Sequence, residues 1–337
     1  MKKISILDVV AKSGLSLATV SKVLNNSPTV RESNRQKVLQ AIKELDYRPN
    51  PAARSLARGA TRLIGLTLPG LNDTFYDNIV QSVNRHLEEN GYVLALSVFS
   101  QVQAAESDAN SSFLFQEDRV DGVIVISPLD ENPYLLELKR KRIPYVVVDN
   151  QVDPLNALTV NVDNYAGGYE ATKHLLDLGH TRISYVGGSE RYLSARERRR
   201  GFESAMRDAG LTPVAVTNTE FNIRSGFDAA KAWIRSDKVP TAVFAGEDGL
   251  ALGVTQAFQD EGYRVPDEVS IVGFDDQTFS QYIHPRLTTI RQPMEQIGEH
   301  AVRLLLQMIQ GTAKRQSSVM LKPELIVRES TSSYNKR

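Results

Sequence analysis

The feature of this 337-residue sequence that most limits its fold is an alternation, from Leu63 onward, of short apolar runs with amphipathic segments. Buried runs separated by helices predict parallel strands in a doubly wound sheet. These units are too numerous for one small sheet, so we expect two lobes that face a cleft. The predicted strands are Leu63–Leu68, Tyr92–Val98, Gly122–Ile126, Tyr145–Val148, Ile183–Val186, Ala242–Ala245 and Ser270–Gly273, with a last strand at Leu321–Val327.

The N-terminal segment follows a different pattern, that of three short helices. Gly14 permits a left-handed turn after the first helix, and Ser16 is placed to cap the second. The third repeats apolar residues at helical spacing through Val38, Ala41, Ile42 and Leu45. Two short helices joined by a glycine turn and braced by a third are typical of a helix-turn-helix. The predicted helices are Ile6–Lys12, Leu17–Asn25 and Glu32–Asp46.

Charge separates the same two regions. Residues 1–62 hold 12 Lys and Arg against 4 Asp and Glu, a net charge of +8, although the whole chain is neutral. The remainder therefore carries a net charge of −8. A basic N-terminal segment on an acidic body favours binding of a polyanion such as DNA.

Other classes of protein lack their expected signals. The sequence contains no cysteine, which excludes disulfides and thiol catalysis. No long apolar run follows Met1-Lys2-Lys3, and no segment reaches the length of a membrane span, so we expect a cytoplasmic protein without a membrane partner. Neither glycine-rich phosphate-binding motif is present, and the five histidines lack H-E-x-x-H spacing. We therefore expect no enzyme activity, cofactor or metal, and a structural role for His180.

The N-terminal residues resemble the lactose/galactose-repressor (LacI/GalR) family of transcription regulators, and the resemblance continues through the whole chain. Val10 is a small departure, because the family usually has alanine there. The resemblance implies a body of two Rossmann-like lobes of the periplasmic-binding-protein type behind a small all-α helix-turn-helix domain. It is carried by Ile6-Leu7-Asp8-Val9-Val10-Ala11, Gly14-Leu15-Ser16, Ala18 to Asn25, Val38 to Asn50 and Ala52 to Leu56.

The resemblance also implies which residues contact DNA. Leu17, Ala18 and Lys22 would face base edges in the major groove, where the apolar pair suits a thymine methyl and the lysine suits guanine acceptors. Thr19, Ser21 and Asn25 would donate to phosphates and set the register.

A short helix is predicted after Pro49-Asn50-Pro51, with Asn50 as its cap and Pro51 at its first position. It spans barely two turns before Gly59, too few to be stable alone in water. The resemblance implies that two such hinge helices pair over the minor groove and that Leu56 wedges between base pairs. A plain interdomain linker is the alternative.

Ligands of doubly wound sheets bind beyond the carboxyl ends of the strands. Aromatic faces, carboxylates and guanidinium groups gathered there suit a polyhydroxylated ligand such as a sugar. The resemblance implies that five of them hold the effector, because they match the family's effector-binding positions by motif: Phe75, Asp149, Arg198, Phe221 and Asp275. At Glu247 the family more often has asparagine. The full set of predicted ligand residues is Phe75, Tyr76, Asp149, Arg196, Arg198, Phe221, Glu247, Asp248 and Asp275.

Each ligand residue also has a structural alternative. Asp275 could cap the next helix, Arg198 could form a salt bridge between lobes, and Phe75 and Phe221 could pack on the cleft wall. Asp163-Asn164, with Gly167-Gly168, is expected to begin a helix that helps to join the lobes.

These features together predict a homodimeric regulator of repressor type that binds a pseudo-palindromic operator under the control of a small molecule, and a sugar is the expected ligand. A sugar-binding transport protein and a sugar-converting enzyme are the alternatives; the basic N-terminal segment disfavours the first. The expected domains are a helix-turn-helix at 1–48, a hinge at 49–62 and an effector-binding and dimerisation domain at 63–337. Within the last, lobe 1 takes about 63–161 plus 292–325, and lobe 2 about 162–290 plus the tail.

Overall fold

The computed structural model describes residues 4–25, 27–47, 60–70, 74–98, 119–128, 133–151, 157–313 and 318–334. The chain divides into two compact units, residues 1–62 and residues 63–337. We call the first the head and the second the body, and each is described by itself.

Three helices in the head surround a small apolar core. They are α1 (Ile6–Ser13), α2 (Leu17–Leu24) and α3 (Glu32–Glu44). Gly14 ends α1 in the left-handed conformation, with φ of 67°, and the Ser16 hydroxyl caps α2 by accepting the Thr19 amide at 3.2 Å. The buried side chains of the core are Val9, Val20, Val23, Val38, Ala41 and Tyr47. Because Val20 and Val23 anchor α2 in this core, its opposite face is left to solvent.

The first lobe of the body is built on a six-stranded sheet. Its strands are β1 (Leu63–Leu68), β2 (Val93–Val98), β3 (Gly122–Ile126), β4 (Tyr145–Val148), β5 (Leu158–Val162) and β11 (Val319–Leu321). Its helices are α4 (Thr74–Glu89), α5 (Pro133–Arg140) and α10 (Met294–Ile309). The strand order is β11-β5-β4-β3-β1-β2, and every pair is parallel.

The second lobe repeats this plan. Its strands are β6 (Ile183–Gly187), β7 (Val216–Asn218), β8 (Ala242–Ala245), β9 (Ser270–Asp275), β10 (Thr288–Arg291) and β12 (Glu324–Ile326). Its helices are α6 (Asn164–Asp177), α7 (Leu193–Asp208), α8 (Ile223–Arg235) and α9 (Asp248–Asp260). The order is β12-β10-β9-β8-β6-β7, parallel except for the antiparallel pair of β10 and β12. The prediction of an α/β body with two parallel lobes is therefore confirmed.

Three short segments connect the lobes: β5 to α6, β10 to α10, and β11 to β12. The last of these corrects the sequence prediction. Residues Leu321–Val327 do not form one strand, because the chain leaves the first sheet after Leu321 and joins the second at Glu324. Pro323 lies at the break, where its missing N–H cannot continue a ladder.

Three further strands were absent from the prediction. In β5 and β10, threonine and asparagine interrupt the apolar run, and β7 is a short, largely exposed strand. The predicted helix start at Asp163-Asn164 is confirmed, because the Asp163 carboxylate accepts the Ala166 amide at 2.9 Å and caps α6.

Backbone contact fixes the position of α7 against α6. A Cβ at Gly168 would lie 2.2 Å from the Arg198 carbonyl oxygen, and a Cβ at Gly201 would lie 2.2 Å from the Tyr165 carbonyl oxygen. Only glycine permits this approach at both positions. It sets the location of Arg198, which α7 carries.

Candidate functional site

The face of α2 that turns away from the head core carries the residues predicted to contact DNA. Leu17, Ala18, Lys22 and Asn25 are exposed, and Leu17 keeps 48 % of its surface in solvent. Leu17 and Ala18 thus place apolar surface beside a lysine, as contact with a base edge requires.

Two polar residues on the same helix are half-buried, namely Thr19 and Ser21. The Thr19 hydroxyl lies 2.9 Å from the Ser16 hydroxyl, within the cap of α2. Asn25 corrects the predicted helix end, because α2 stops at Leu24 and Asn25 is its C-cap. Leu56 lies outside the described residues, and its predicted role stays a prediction.

In the body, Asp149 forms the first-lobe part of the predicted ligand site. It directly follows β4 with φ of 52°, and its amide donates to the Val160 carbonyl at 3.0 Å. Ser127, at the end of β3, donates its hydroxyl to Asp149 Oδ2 at 2.6 Å. The two neighbouring strands therefore place a hydroxyl and a carboxylate at one edge of the sheet.

Arg198 forms the centre of the second-lobe part and is only 5 % exposed. Its guanidinium lies over the Phe274 ring, 3.8 Å from the centroid. Nε donates to Asn164 Oδ1 at 2.8 Å, and Nη1 donates to the Gly246 carbonyl at 2.6 Å. Nη2 lies 3.1 Å from Asp275 Oδ1. The alternative of a salt bridge between lobes is wrong for this pair, because Asp275 belongs to the same lobe.

Asp275 ends β9 with a left-handed φ of 103°. Its Oδ1 also accepts a hydrogen bond from Gln292 Nε2 at 2.5 Å. These two donors hold the carboxylate at the carboxyl end of the second sheet, beside the connection from β10 to α10.

The three charged groups interact across the lobes. Burial raises the pKa of Asp149, and this rise is opposed by the Ser127 hydrogen bond and by the charge of Arg198. Burial likewise raises the pKa of Asp275, opposed first by the charge of Arg198 and then by the Gln292 hydrogen bond. Asp275 also raises the pKa of Asp149. The charge of Arg198, in the second lobe, therefore lowers the pKa of one carboxylate in each lobe.

Asp248 occupies a different position from the one predicted. It is fully buried, and its oxygens accept hydrogen bonds from the Gln277 amide, the Ser280 hydroxyl and the Thr289 hydroxyl at 2.7, 2.6 and 2.5 Å. With no exposed surface, it supports the turn after β9 and is not placed to contact a ligand. Asp248, and not Asp275, accepts the Gln277 amide at the start of this turn.

Two other predicted ligand residues are also engaged within the second lobe. Glu247 caps α9, where its Oε2 accepts the Leu250 amide at 3.1 Å, while its Oε1 accepts Gln277 Nε2 at 2.8 Å. Arg196 is exposed, and its Nη1 donates to the Glu190 carbonyl at 2.6 Å.

The predicted aromatic residues each pack within their own lobe. Phe75 belongs to the first-lobe core and meets Tyr76 edge-on, with ring centroids 5.3 Å apart. Phe221 packs on Gly188, where a Cβ would lie 2.2 Å from the ring, and it lies 5.8 Å from the Tyr192 ring. Stacking of either ring on a ligand stays a prediction.

Two site residues were missed by the sequence reasoning. Ser127 follows a predicted strand, so the same rule that selected Asp149 applies to it. Gln292 follows β10, which the sequence did not reveal, so no signal was available for it.

A cavity of about 630 Å³ opens beside Asp275, between the lobes. This volume is sufficient for a small polar ligand. Among the described residues that line it, Asp275 is the one predicted to bind ligand, so the cavity adjoins the Asp149–Arg198 region without containing it. Its lining is Asn78, Gln81, Ser82, Arg85, Asp275, Asp276, Arg291, Gln292, Pro293, Met294, Glu295 and Gln296.

The described residues include no cluster of three or more His, Asp or Glu that could hold a metal ion. His180, predicted to be structural, is buried and its ring nitrogens face the Thr241 and Ser270 hydroxyls and the Ser332 carbonyl at 3.0–3.1 Å. Across the described ranges, no helix combines the length and apolar character needed to cross a membrane.

Comparison with known proteins matches both units. Residues 5–50 match the family model for bacterial regulatory proteins of the lacI family, and residues 172–331 match the periplasmic binding protein-like domain. The HTH-type transcriptional regulator DegA of Bacillus subtilis is 33 % identical over 339 residues, which cover 99 % of each chain. The HTH-type transcriptional repressor PurR of Vibrio vulnificus is 33 % identical, covering 98 % of this chain and 99 % of its own.

Solved structures agree. The lac repressor dimer bound to operator and the anti-inducer ONPF has a TM-score of 0.89 at 30 % identity, covering 98 % of this chain and 100 % of its own. A complex of the transcriptional regulator CelR with cellobiose has a TM-score of 0.74 at 30 % identity, covering 97 % and 99 %.

The chain therefore belongs to the lacI family of bacterial regulatory proteins. It is a DNA-binding transcriptional repressor with an effector-binding domain, and it is not an enzyme.

Proposed function

We propose that this repressor is a homodimer in the cytoplasm whose affinity for a pseudo-palindromic operator is controlled allosterically by a sugar bound between the lobes of the body. The observation that carries the proposal is the charge arrangement across the cleft. Asp149 comes from the first lobe, and the ion pair of Arg198 and Asp275 comes from the second, and the charges of this pair act on the pKa of Asp149.

Sugar hydroxyls suit this arrangement because each both donates and accepts hydrogen bonds. Asp149, Asp275 and Arg198 each have partners within the protein, and each keeps further hydrogen-bonding capacity for a hydroxyl group, because a carboxylate accepts about four hydrogen bonds and a guanidinium donates about five. The similar regulator CelR was solved with cellobiose, which supports a sugar as the ligand class.

For DNA, we infer that α2 enters the major groove. Leu17, Ala18 and Lys22 would contact base edges, and Thr19, Ser21 and Asn25 would contact phosphates. The exposure of the α2 face and the net charge of the N-terminal segment support this assignment. The lac repressor dimer on its operator supports two copies on a two-fold symmetric site. Leu56 would act as the minor-groove wedge.

The ligand is tested in two steps. A thermal-shift screen of mono- and disaccharides first identifies a sugar that raises the melting temperature. Calorimetry and operator gel shifts then compare the wild type with Asp149→Asn and Asp275→Asn, which remove the charges and keep the shapes. We expect both variants to bind operator normally without sugar and to lose the response to sugar, a coupling of about 1–3 kcal/mol.

A matched control is Asp260→Asn on the exposed face of α9, which should respond like the wild type. Normal sugar affinity in both cleft variants would place the ligand elsewhere. If no sugar raises the melting temperature but a metabolite of another class does, the protein is still a ligand-controlled regulator, and the proposal of a sugar as its ligand is wrong.

A further inference from the structure

One side chain joins the lobes away from the three connecting segments. Gln151 lies in the first lobe, two residues after Asp149, and is 1 % exposed. Its Oε1 accepts the backbone amide of Ser194 at 3.1 Å and lies 3.4 Å from the Ser194 hydroxyl. Ser194 belongs to the first turn of α7, in the second lobe.

The start of α7 explains what this contact supplies. The other three labelled helices of the second lobe are each capped by their own N-cap residue, namely Asp163, Asn222 and Glu247. The N-cap residue of α7 is Tyr192, whose side chain makes no cap hydrogen bond. First-turn amides need an acceptor when they are buried. Gln151 provides one from the opposite lobe.

Gln151 is held ready for this contact by its own segment. Its Nε2 donates to the Asp149 carbonyl at 2.9 Å, and the Asn150 amide between them donates to Asn161 Oδ1 at 2.8 Å. First-lobe contacts therefore fix the orientation of the Gln151 amide group, and its oxygen accepts the hydrogen bond from Ser194.

We propose that Gln151 is a latch between the lobes, which caps α7 only in the lobe arrangement seen here. If the lobes rotate apart, the Ser194 amide and the Gln151 oxygen lose each other as partners and exchange this hydrogen bond for water. Ser194 and Arg198 are four residues apart and so share one face of α7. The latch therefore also holds the helix that carries Arg198 against the first lobe.

The regulatory consequence rests on the proposed function. A sugar that bridges Asp149 and Asp275 binds the latched arrangement, and Gln151 raises the population of that arrangement before the sugar arrives. Loss of the latch then weakens sugar binding without removing a sugar contact.

The latch itself is tested without sugar or DNA, so its failure is separate from failure of the proposed function. The chain has no cysteine, which allows spin labels at Leu136→Cys in the first lobe and Arg224→Cys in the second, both exposed. Labelled chains are diluted with unlabelled chains so that electron–electron distances within one chain are measured. Amide exchange at Ser194 is followed in parallel by NMR.

We expect one narrow distance distribution in the wild type. Gln151→Met keeps the length of the side chain and removes the acceptor, so it should broaden the distribution and accelerate Ser194 exchange about 3–10-fold, the loss of one hydrogen bond. Ser194→Ala keeps the amide and should stay close to the wild type. Gln259→Met, an exposed change on α9, should have no effect.

An unchanged distance distribution or an unchanged Ser194 amide in Gln151→Met would overturn the latch. If that variant folds poorly, the wild type still decides the matter. Its Ser194 amide should be protected at least as well as the Ser225 amide, which Asn222 caps at 2.8 Å. Exchange of Ser194 at the rate of an open amide would overturn the proposal.

Discussion

In the head, the six described side chains predicted to contact DNA all lie between Leu17 and Asn25, on or beside one exposed helix face. In the body, the ligand candidate Asp149 follows β4, whereas Arg198 and Asp275 belong to α7 and β9 and are almost fully buried. The DNA-contacting surface of the head depends on one helix and on the spacing of the residues along it. The ligand site depends on the placement of two sheets.

In the head, a substitution can therefore change DNA binding without changing stability. In the body, a substitution at the ligand site changes both ligand binding and stability. An exposed side chain on α2 can be changed without leaving a buried group unpaired. A change at Arg198 leaves buried carboxylates without their cation, so it alters the fold as well as the site.

The largest expected effect is therefore on stability, from Arg198→Ala. It removes the cation beside buried Asp275, leaving Gln292 as the donor to that carboxylate, and also removes the charge that lowers the pKa of Asp149, so it should lower the free energy of unfolding of the body by roughly 3–5 kcal/mol. The single tryptophan, Trp233, is buried in the second lobe, so its fluorescence in urea reports on this unit.

Arg196→Ala is the matched control on the same helix. Its side chain is exposed, and the change should stay within about 0.5 kcal/mol of the wild type. Equal stability of the two variants would show that the buried charges of the body are dispensable.

The same contrast explains what the sequence could and could not predict. Helix spacing and a glycine turn place Leu17 and Lys22 on one face without reference to any distant residue. The strand-end rule likewise located Asp149 and Asp275. It could not distinguish Asp248, which follows a strand in the same way but turns inward to cap the turn after β9. Gln292 was not predicted, because the threonines of β10 interrupt the apolar pattern by which the preceding strand would have been identified.

The second prediction concerns pH and Asp248. Burial, with a further contribution from the charge of Asp275, raises its pKa well above the ordinary value of 3.8. The folded state then binds this proton more tightly than the unfolded state. The contribution of Asp248 to stability therefore falls as pH rises from about 4 through its raised pKa.

Asp248→Asn keeps the shape and removes the proton. Its stability relative to the wild type should rise with pH in that interval, by about 1.4 kcal/mol for each pH unit. Urea unfolding at several pH values, followed by Trp233 fluorescence, measures the difference. A constant difference between the two proteins at every pH would contradict the raised pKa.

The third prediction addresses the head, where binding should change while stability does not. Lys22→Ala should relax base preference at one symmetric pair of operator positions, costing about 1–3 kcal/mol per half-site. Ser21→Ala should weaken binding to all sequences alike. Selection of operators from a random pool distinguishes the two, and an unchanged selected motif for Lys22→Ala would show that the register of α2 is wrong.

The smallest expected effect comes from the cap of α2. The Ser16 hydroxyl accepts the Thr19 amide and lies beside the Thr19 hydroxyl, and both contacts are local and exposed. Ser16→Ala should lower the stability of the head by about 1 kcal/mol. Because the change lies within the head, Trp233 fluorescence should show no shift, whereas amide exchange in α2 should accelerate. Operator affinity should fall by no more than the stability change, since the base-contacting side chains are intact. A shift in the Trp233 transition would show that the two units do not unfold independently, and the contrast between a local head and an interlocked body would then have to be given up.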